Sequence, residues 1–297
     1  MNHTDDAPAA APPPARPGWR AMLALMRPRQ WAKNVFVLAP LLFTGQFRHG
    51  GSVLAVLLAT ALFCMASSAT YILNDWRDVE RDRLHPTKRF KRPLAAGTVT
   101  PRQAACLLAA LAALLLLGAF VQPKVLAVIG IYLLLNLAYS FGLKHQPVLD
   151  IFIIASGFVL RMIAGAAALA VPVSSWMFIT TLCLALYLAA IKRRQELLHS
   201  SGETRDVLRS YTQPLLERYA QMGATGALVF YSLFVVSSHT ELIVTSPLVI
   251  FGLFRYWWLV EQGGGESPTD ALLGDWQLLA TGIIWTLLCA ARLTGVL

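Results

Sequence analysis

"YILNDWRDVERDRLHPTKRFKRPLAAG", residues 71–97, decides how this chain is read. It follows "SVLAVLLATALFCMASSAT" (52–70), a hydrocarbon run of about the length that crosses a bilayer. The oily stretch stops at Asn74-Asp75, and four acids and eight bases crowd into the roughly thirty residues that follow. Asp75, Asp78 and Asp82 stand at i, i+3 and i+7, which on a helix is one face, and Asn74 joins it four residues before Asp78. Carboxylates so placed repel one another unless a cation sits among them. Oxygen ligands without interleaved His or Cys select a hard ion, and Mg²⁺ takes one or two carboxylates, completing its shell with water and substrate phosphates. His85, Lys88, Arg89, Lys91 and Arg92 come next, and Pro86 and Pro93 interrupt any helix there. The cations therefore fall on a loop able to fold back over a metal, as a diphosphate would require. A charged anchor of topology is the plainer account of the Lys/Arg cluster taken alone. An acidic stripe continuous with a spanning helix calls instead for a function.

The rest of the chain supports a membrane setting. Of 297 residues, 56% are hydrophobic and only 14% charged, and the mean hydropathy is +0.57, unlike a soluble enzyme. About nine apolar segments can be marked, near 29–47, 52–73, 103–122, 125–143, 148–170, 173–191, 220–239, 241–260 and 276–295. The expected fold is an all-α polytopic bundle of about nine transmembrane helices. Pro40 interrupts the first segment, and Glu241, Pro247 and Arg255 dilute the eighth. Residues 1–18 read as an Ala/Pro-rich disordered leader without the order of a signal peptide, and 19–297 as a single catalytic domain. The four cysteines lie singly in apolar runs, with no metal or disulfide spacing.

The net charge of +9 excludes little alone, but the cations flank membrane segments and no nucleic-acid-binding signature appears. Anionic lipid and phosphorylated substrates remain as partners. With the N-terminus inside, twenty-one Lys and Arg fall in cytoplasmic connections and three outside. That bias predicts a cell (inner) membrane protein with a cytoplasmic N-terminus and both large polar connections on the cytoplasmic side, where they can share one site.

The second connection, "YLAAIKRRQELLHSSGETRDVLRSYTQPLLERY" (187–219), opens with Lys192, Arg193 and Arg194, continues to Glu196, and later offers Arg209 and Tyr211. Cations at a helix end are favourable in themselves, which accounts for part of this cluster. Three in a row cannot all face one way, so some are membrane-surface charges, and Lys192 and Arg193 are candidates for substrate ahead of Arg194. Lys33 and Asn34 open the first apolar segment. Asp150 and Arg161, eleven residues apart, share one face of the fifth. An arginine that deep belongs in the bundle interior, either ion-paired to an acid or on a substrate phosphate. Gly165 in its Ala-rich run suits close helix packing, within the chain or between copies in a homo-oligomer. Trp257-Trp258 reads as interfacial belt.

"NDWRDVERD" followed by "HPTKRFKRPLAAG" resembles the first signature of the UbiA-type intramembrane prenyltransferases, nine-helix bundles with an Asp-rich cytoplasmic site. The aromatic prenyltransferases of that superfamily carry a second Asp-rich motif between helices six and seven, which this chain replaces with "KRRQE" and "RSYT". "RPRQWAKNVFVLAPLLFTGQ", "LDIFIIASGFVLRMIAGAAA" and "KRRQEL…VLRSYT" are similar instead to the decaprenyl-phosphate phosphoribosyltransferase branch. The resemblance implies transfer of 5-phosphoribose from phosphoribosyl diphosphate to a polyprenyl phosphate, feeding cell-envelope synthesis. It implies Mg²⁺ on Asp75, Asp78 and Asp82, and Asn74 orienting phosphate or ribose. Lys88, Arg92, Lys192 and Arg193 would clamp phosphates, and Arg209 and Tyr211 would cap the sugar. The anionic acceptor needs no general base. Two other readings stay open: a prenyltransferase acting on an aromatic or other small acceptor, and a transporter or scaffold whose charges only fix topology. The transporter reading lacks inverted repeats and a polar path, and no Walker-type loop is present.

Overall fold

The computed structural model describes residues 18–85, 88–198, 206–262 and 268–296, which leaves nearly all of the leader outside the described residues. The described chain is helical, without strands. In order it runs α1 (Trp19–Met26), α2 (Ala39–Phe43), α3 (Gly50–Arg77), α4 (Val79–Leu84), α5 (Lys88–Lys91), α6 (Pro101–Val121), α7 (Pro123–Phe141), α8 (Leu149–Ala168), α9 (Ser175–Leu198), α10 (Gln213–Ser238), α11 (Ser246–Glu261), α12 (Pro268–Gly274) and α13 (Trp276–Leu293). Among the described residues eight spans are long and apolar enough to cross a membrane: α3, α6, α7, α8, α9, α10, α13 and the run Thr240–Glu261, in which a 3₁₀ turn leads into α11. They coincide with eight of the nine segments marked from sequence.

The remaining segment is built differently. Pro28–Leu38 winds as a 3₁₀ helix into the short α2, rather than as one long α-helix. Pro40 has no N–H, and its ring excludes the carbonyl four residues back, so an α-helix cannot run through it. A 3₁₀ helix has three residues per turn, and the pattern obeys that period. Asn34, Val37 and Pro40 are buried, and Trp31, on the same face, donates to Ser68 Oγ of α3 at 3.0 Å. The alternate face, with Lys33, Phe36 and Ala39, lines a cavity. Gly165 of α8 makes the close approach feasible: a Cβ there would run into the Val37 carbonyl oxygen and lie 3.2 Å from Pro40 Cδ. The small residue thus serves packing within the chain.

α3 and α8 form the centre, with half or more of their apolar windows buried, whereas α6, α7, α11 and α13 bury about a fifth or less. Their exposed Leu116, Leu117, Phe120, Leu134, Phe254 and Leu287 make the outer belt that lipid covers. The central cluster, which includes Val56, Phe63, Ile129, Tyr132 and Leu160, ties α3, α7 and α8 together.

Candidate active site

The acidic stripe is not one continuous helix. α3 ends at Arg77; Asp78 leaves helical geometry at φ −93, ψ 8, and α4 restarts at Val79. Backbone bonds bridge the break, Asp78 N to Asn74 O at 3.0 Å and Asp82 N to Asp78 O at 2.8 Å, so the three acids stay neighbours. Asp75 and Asp82 are buried, Asp78 half-buried. Among the described residues no three acidic, imidazole or thiol side chains are placed to hold a metal ion by themselves.

Asp75 is the focus. Its Oδ1 accepts from Arg27 and, at 2.7 Å, from Arg92 Nη1. Its Oδ2 is buried and has no hydrogen-bond partner among the described residues. Arg27 caps α1 in the left-handed region, φ 52, a rare conformation for a side-chain-bearing residue. From there its guanidinium reaches Asp75 and lies 4.8 Å from the Tyr71 ring centre. Sequence reading missed Arg27 as a site residue, counting it only toward topology. Arg92 is delivered by "RPLAAG", which folds as a turned strap. Ala96 N bonds Arg92 O at 2.8 Å, Thr98 N bonds Pro93 O at 3.0 Å, and Gly97 supplies φ +71. Leu94 and Val99 then bury against Leu25 and Ile72. The strap ends in a Thr100–Gln103 capping box that starts α6. Burial pushes the Asp82 carboxyl above its ordinary value; Lys88 draws it back, and Asp78 pushes it further up. Asn74 is fixed by Ser140 Oγ, which donates to its Oδ1 at 2.8 Å.

The second connection is differently organised. α9 continues through Lys192–Arg194 to Leu198, so these cations stand on the helix. Arg193 is fully buried and spends its donors on protein: Nε to Asp150 Oδ2 at 2.5 Å, Nη2 to the Tyr139 hydroxyl at 2.6 Å, and Nη1 to Glu196. Tyr211 donates to Asp150 Oδ1 at 2.6 Å and accepts from Val148 N at 2.6 Å. Burial, then the bond to Asp150, raises the Tyr211 hydroxyl pKa. Asp150, Arg193 and Tyr211 therefore form a buried clamp with half-buried Glu196 at its edge, where the sequence expectation has these groups facing sugar and phosphate. Arg194, placed behind Lys192 and Arg193 from sequence, is buried and paired with Glu217 at 2.8 Å and Glu261 at 2.9 Å. Lys192 lies 3.9 Å from Glu196, and Arg209 is exposed. Residues 199–205 of this connection lie outside the described residues.

Asp150 and Arg161 share α8 but answer to different partners. Arg161 Nε donates to Asn34 Oδ1 at 2.7 Å, and Nη1 to Gly157 O at 2.7 Å. The rings of Phe63, Tyr132 and Phe158 surround its guanidinium carbon, centred 5.0–5.7 Å away. Asn34 in turn donates to Cys64 Sγ at 3.0 Å. The ion pair imagined for Arg161 is replaced by an amide and a cage of π faces.

Beside the 3₁₀ segment lies an apolar cavity of about 510 Å³, walled by α2, α9, α10, α11 and α13. Phe43 packs edge-on against Phe234 and Trp285 at one side of it, with ring centres 5.1 and 5.8 Å apart. One bundle thus holds both an acidic centre and a hydrocarbon cavity.

Comparison with known proteins places this arrangement. The UbiA prenyltransferase family matches residues 35–281. The chain belongs to that family. Within it, the decaprenyl-phosphate phosphoribosyltransferase of Mycolicibacterium smegmatis is 40% identical over 285 residues, covering 89% of each chain. The Corynebacterium glutamicum enzyme of the same name is 37% identical over 280 residues, covering 89% of this chain and 84% of that one. Among solved structures, a UbiA homolog from Archaeoglobus fulgidus bound to GPP and Mg²⁺ superposes with a TM-score of 0.66 at 21% identity, over 92% of this chain and 98% of that one. That likeness establishes the UbiA fold for this chain.

Proposed function

We propose that the protein transfers 5-phosphoribose from phosphoribosyl diphosphate to a polyprenyl phosphate of decaprenyl type, releasing diphosphate, at the cytoplasmic face of the cell membrane. The observation that carries the reading is the asymmetry between the two connections. The first holds an acidic centre with one buried, unpartnered carboxylate oxygen beside a basic strap. In the second, Glu196 and Glu217 are ion-paired to Arg193 and Arg194, so the described residues there form no second acidic centre. The names of the bacterial relatives support the same choice.

The donor set suits Mg²⁺: oxygens alone, with Asp75 Oδ2 unclaimed and Asp78 and Asp82 adjacent. When bound, the ion would neutralise charge on the departing diphosphate. The chain's own groups do the remaining work. Arg27, Lys88 and Arg92 hold donor phosphates, Asn74 orients them from its bond to Ser140, and Lys192 and Arg209 border the site from the second connection. An oxygen of the lipid phosphate bonds to the anomeric carbon while the carbon–oxygen bond to diphosphate breaks and its electron pair leaves with that group. The acceptor arrives ionised, so no residue need remove a proton. Its hydrocarbon tail occupies the apolar cavity, whose volume is in the ordinary range of ligand sites.

Purified protein with Mg²⁺ is given labelled phosphoribosyl diphosphate and a polyprenyl phosphate, and in parallel a prenyl diphosphate and 4-hydroxybenzoate. Lipid-linked ribose phosphate is expected only in the first, and Asp75→Asn should lower its rate at least ~100-fold. Product confined to the second reaction would replace this reading with the prenyltransferase one.

A further inference from the structure

The period of the 3₁₀ segment sends two successive residues in opposite directions. Asn34 turns inward to Arg161 and Cys64. Lys33, with Phe36 and Ala39 on its face, lines the apolar cavity. Lys33 is the only charged side chain among the described residues lining that cavity. No hydrogen bond or ion pair joins its ammonium to a described residue. Two further cations act on it, those of Arg161 and Arg27, and the carboxylate that acts on it belongs to exposed Asp270. Arg161 is itself buried without a carboxylate partner among the described residues. Positive charge in apolar surroundings is costly unless something pairs it. The surroundings also specify what would pair it: an anion attached to hydrocarbon, because every other described wall of the cavity is apolar, hydroxyl-bearing or aromatic.

We propose that Lys33 binds the phosphate of the lipid acceptor, holding that phosphate at the cavity wall with its first isoprene units in the cavity. This assignment rests on the reading of the acceptor as a polyprenyl phosphate. It divides the phosphates between two faces: donor phosphates go to Arg27, Lys88 and Arg92 around Asp75, and the acceptor phosphate goes to Lys33. It also makes Lys33 the residue that distinguishes a polyprenyl phosphate from the free polyprenol, since the cavity alone would accept either tail.

The test is direct binding, with no turnover required. Wild-type protein, Lys33→Met and Lys33→Arg are placed in nanodiscs of neutral phosphatidylcholine. Affinity is measured for a labelled polyprenyl phosphate and for the polyprenol of equal length, with phosphatidic acid as competitor. Wild type should prefer the phosphate by about 10- to 100-fold, the worth of one or two charge-assisted hydrogen bonds. Lys33→Met should bring that preference within about 3-fold, Lys33→Arg should keep most of it, and phosphatidic acid should not compete. Thermal unfolding of Lys33→Met should match wild type, since the change removes an unpaired cation. Full preference in Lys33→Met, or none in wild type, overturns the proposal; equal competition by phosphatidic acid overturns the polyprenyl assignment. In steady state, Lys33→Met should raise KM for the lipid and leave KM for phosphoribosyl diphosphate unchanged; the reverse pattern also overturns it. A Lys33-dependent preference in a protein that transfers no phosphoribose would leave this site standing and remove the proposed reaction instead.

Discussion

Replacing Asp150 tests whether the buried clamp holds the protein together or holds substrate. Asp150 and Arg193 are both fully buried and 2.5 Å apart. In Asp150→Ala, Arg193 keeps Glu196 and the Tyr139 hydroxyl but loses its fully buried counter-charge. Breaking such a pair from one side costs about 3–5 kcal/mol. The Tyr211 hydroxyl also loses its acceptor, adding about 1 kcal/mol or more. The apparent unfolding midpoint in detergent should therefore fall by on the order of 10 °C. The double change Asp150→Leu/Arg193→Met removes both charges and leaves Glu196 half-exposed near Lys192, so only the Tyr211 penalty and imperfect packing persist, about 1–2 kcal/mol. Intrinsic fluorescence during thermal and denaturant unfolding reads stability, and phosphoribosyl transfer under saturating lipid reads function. If the clamp only positions the second connection, the double variant recovers most of its stability and works within about tenfold of wild type. If the double variant is as unstable as Asp150→Ala, or the single change costs under ~1 kcal/mol, the reasoning fails. A stable double variant with kcat/KM down more than ~100-fold would return Asp150 and Arg193 to the substrate.

Gly165→Ala puts a methyl into the Val37 carbonyl, so the 3₁₀ segment must move; a loss of about 1–3 kcal/mol is expected by the same unfolding measurement. Arg27→Gln keeps a polar side chain but removes one of the two guanidinium groups on Asp75, and should raise KM for phosphoribosyl diphosphate about tenfold or more while leaving KM for the lipid within about twofold.

Sequence patterning reveals the spans and the acids, because both depend on local regularities: twenty apolar residues in a row, and carboxylates at helical spacing. It misreads 29–47 because apolar content does not distinguish a 3₁₀ run from an α-helix. The signal is nonetheless present, in Pro40 and in the period of three from Trp31 through Asn34 and Val37. The role of Arg27 depends on a contact with Asp75 across forty-eight residues of chain, which no spacing encodes. Asp150, Arg193 and Tyr211 stand out in the sequence separately, as unusual charges and a hydroxyl at membrane ends, and spacing does not join them. What spacing leaves open is whether such groups meet one another, and the distances among them show that they do.

Those pairings bear on why the donor should bind at the first connection. The second connection carries several cations, yet Arg193 is matched by Asp150 and Glu196, and Arg194 by Glu217 and Glu261. Its buried charge is largely neutralised from within, and its field on a phosphate-rich substrate is correspondingly weak. Around Asp75 the balance is reversed: two guanidinium groups share one carboxylate oxygen, and Lys88 lies within electrostatic reach of Asp82. A molecule bearing a diphosphate and a separate phosphate is drawn to that excess, where the acids can accept a divalent ion and the arginines take the remaining charge. The same accounting explains how one acidic centre suffices. A second carboxylate cluster would oppose an acceptor that is itself an anion, whereas Lys33 on the cavity wall, without an ion-pair partner among the described residues, would attract it.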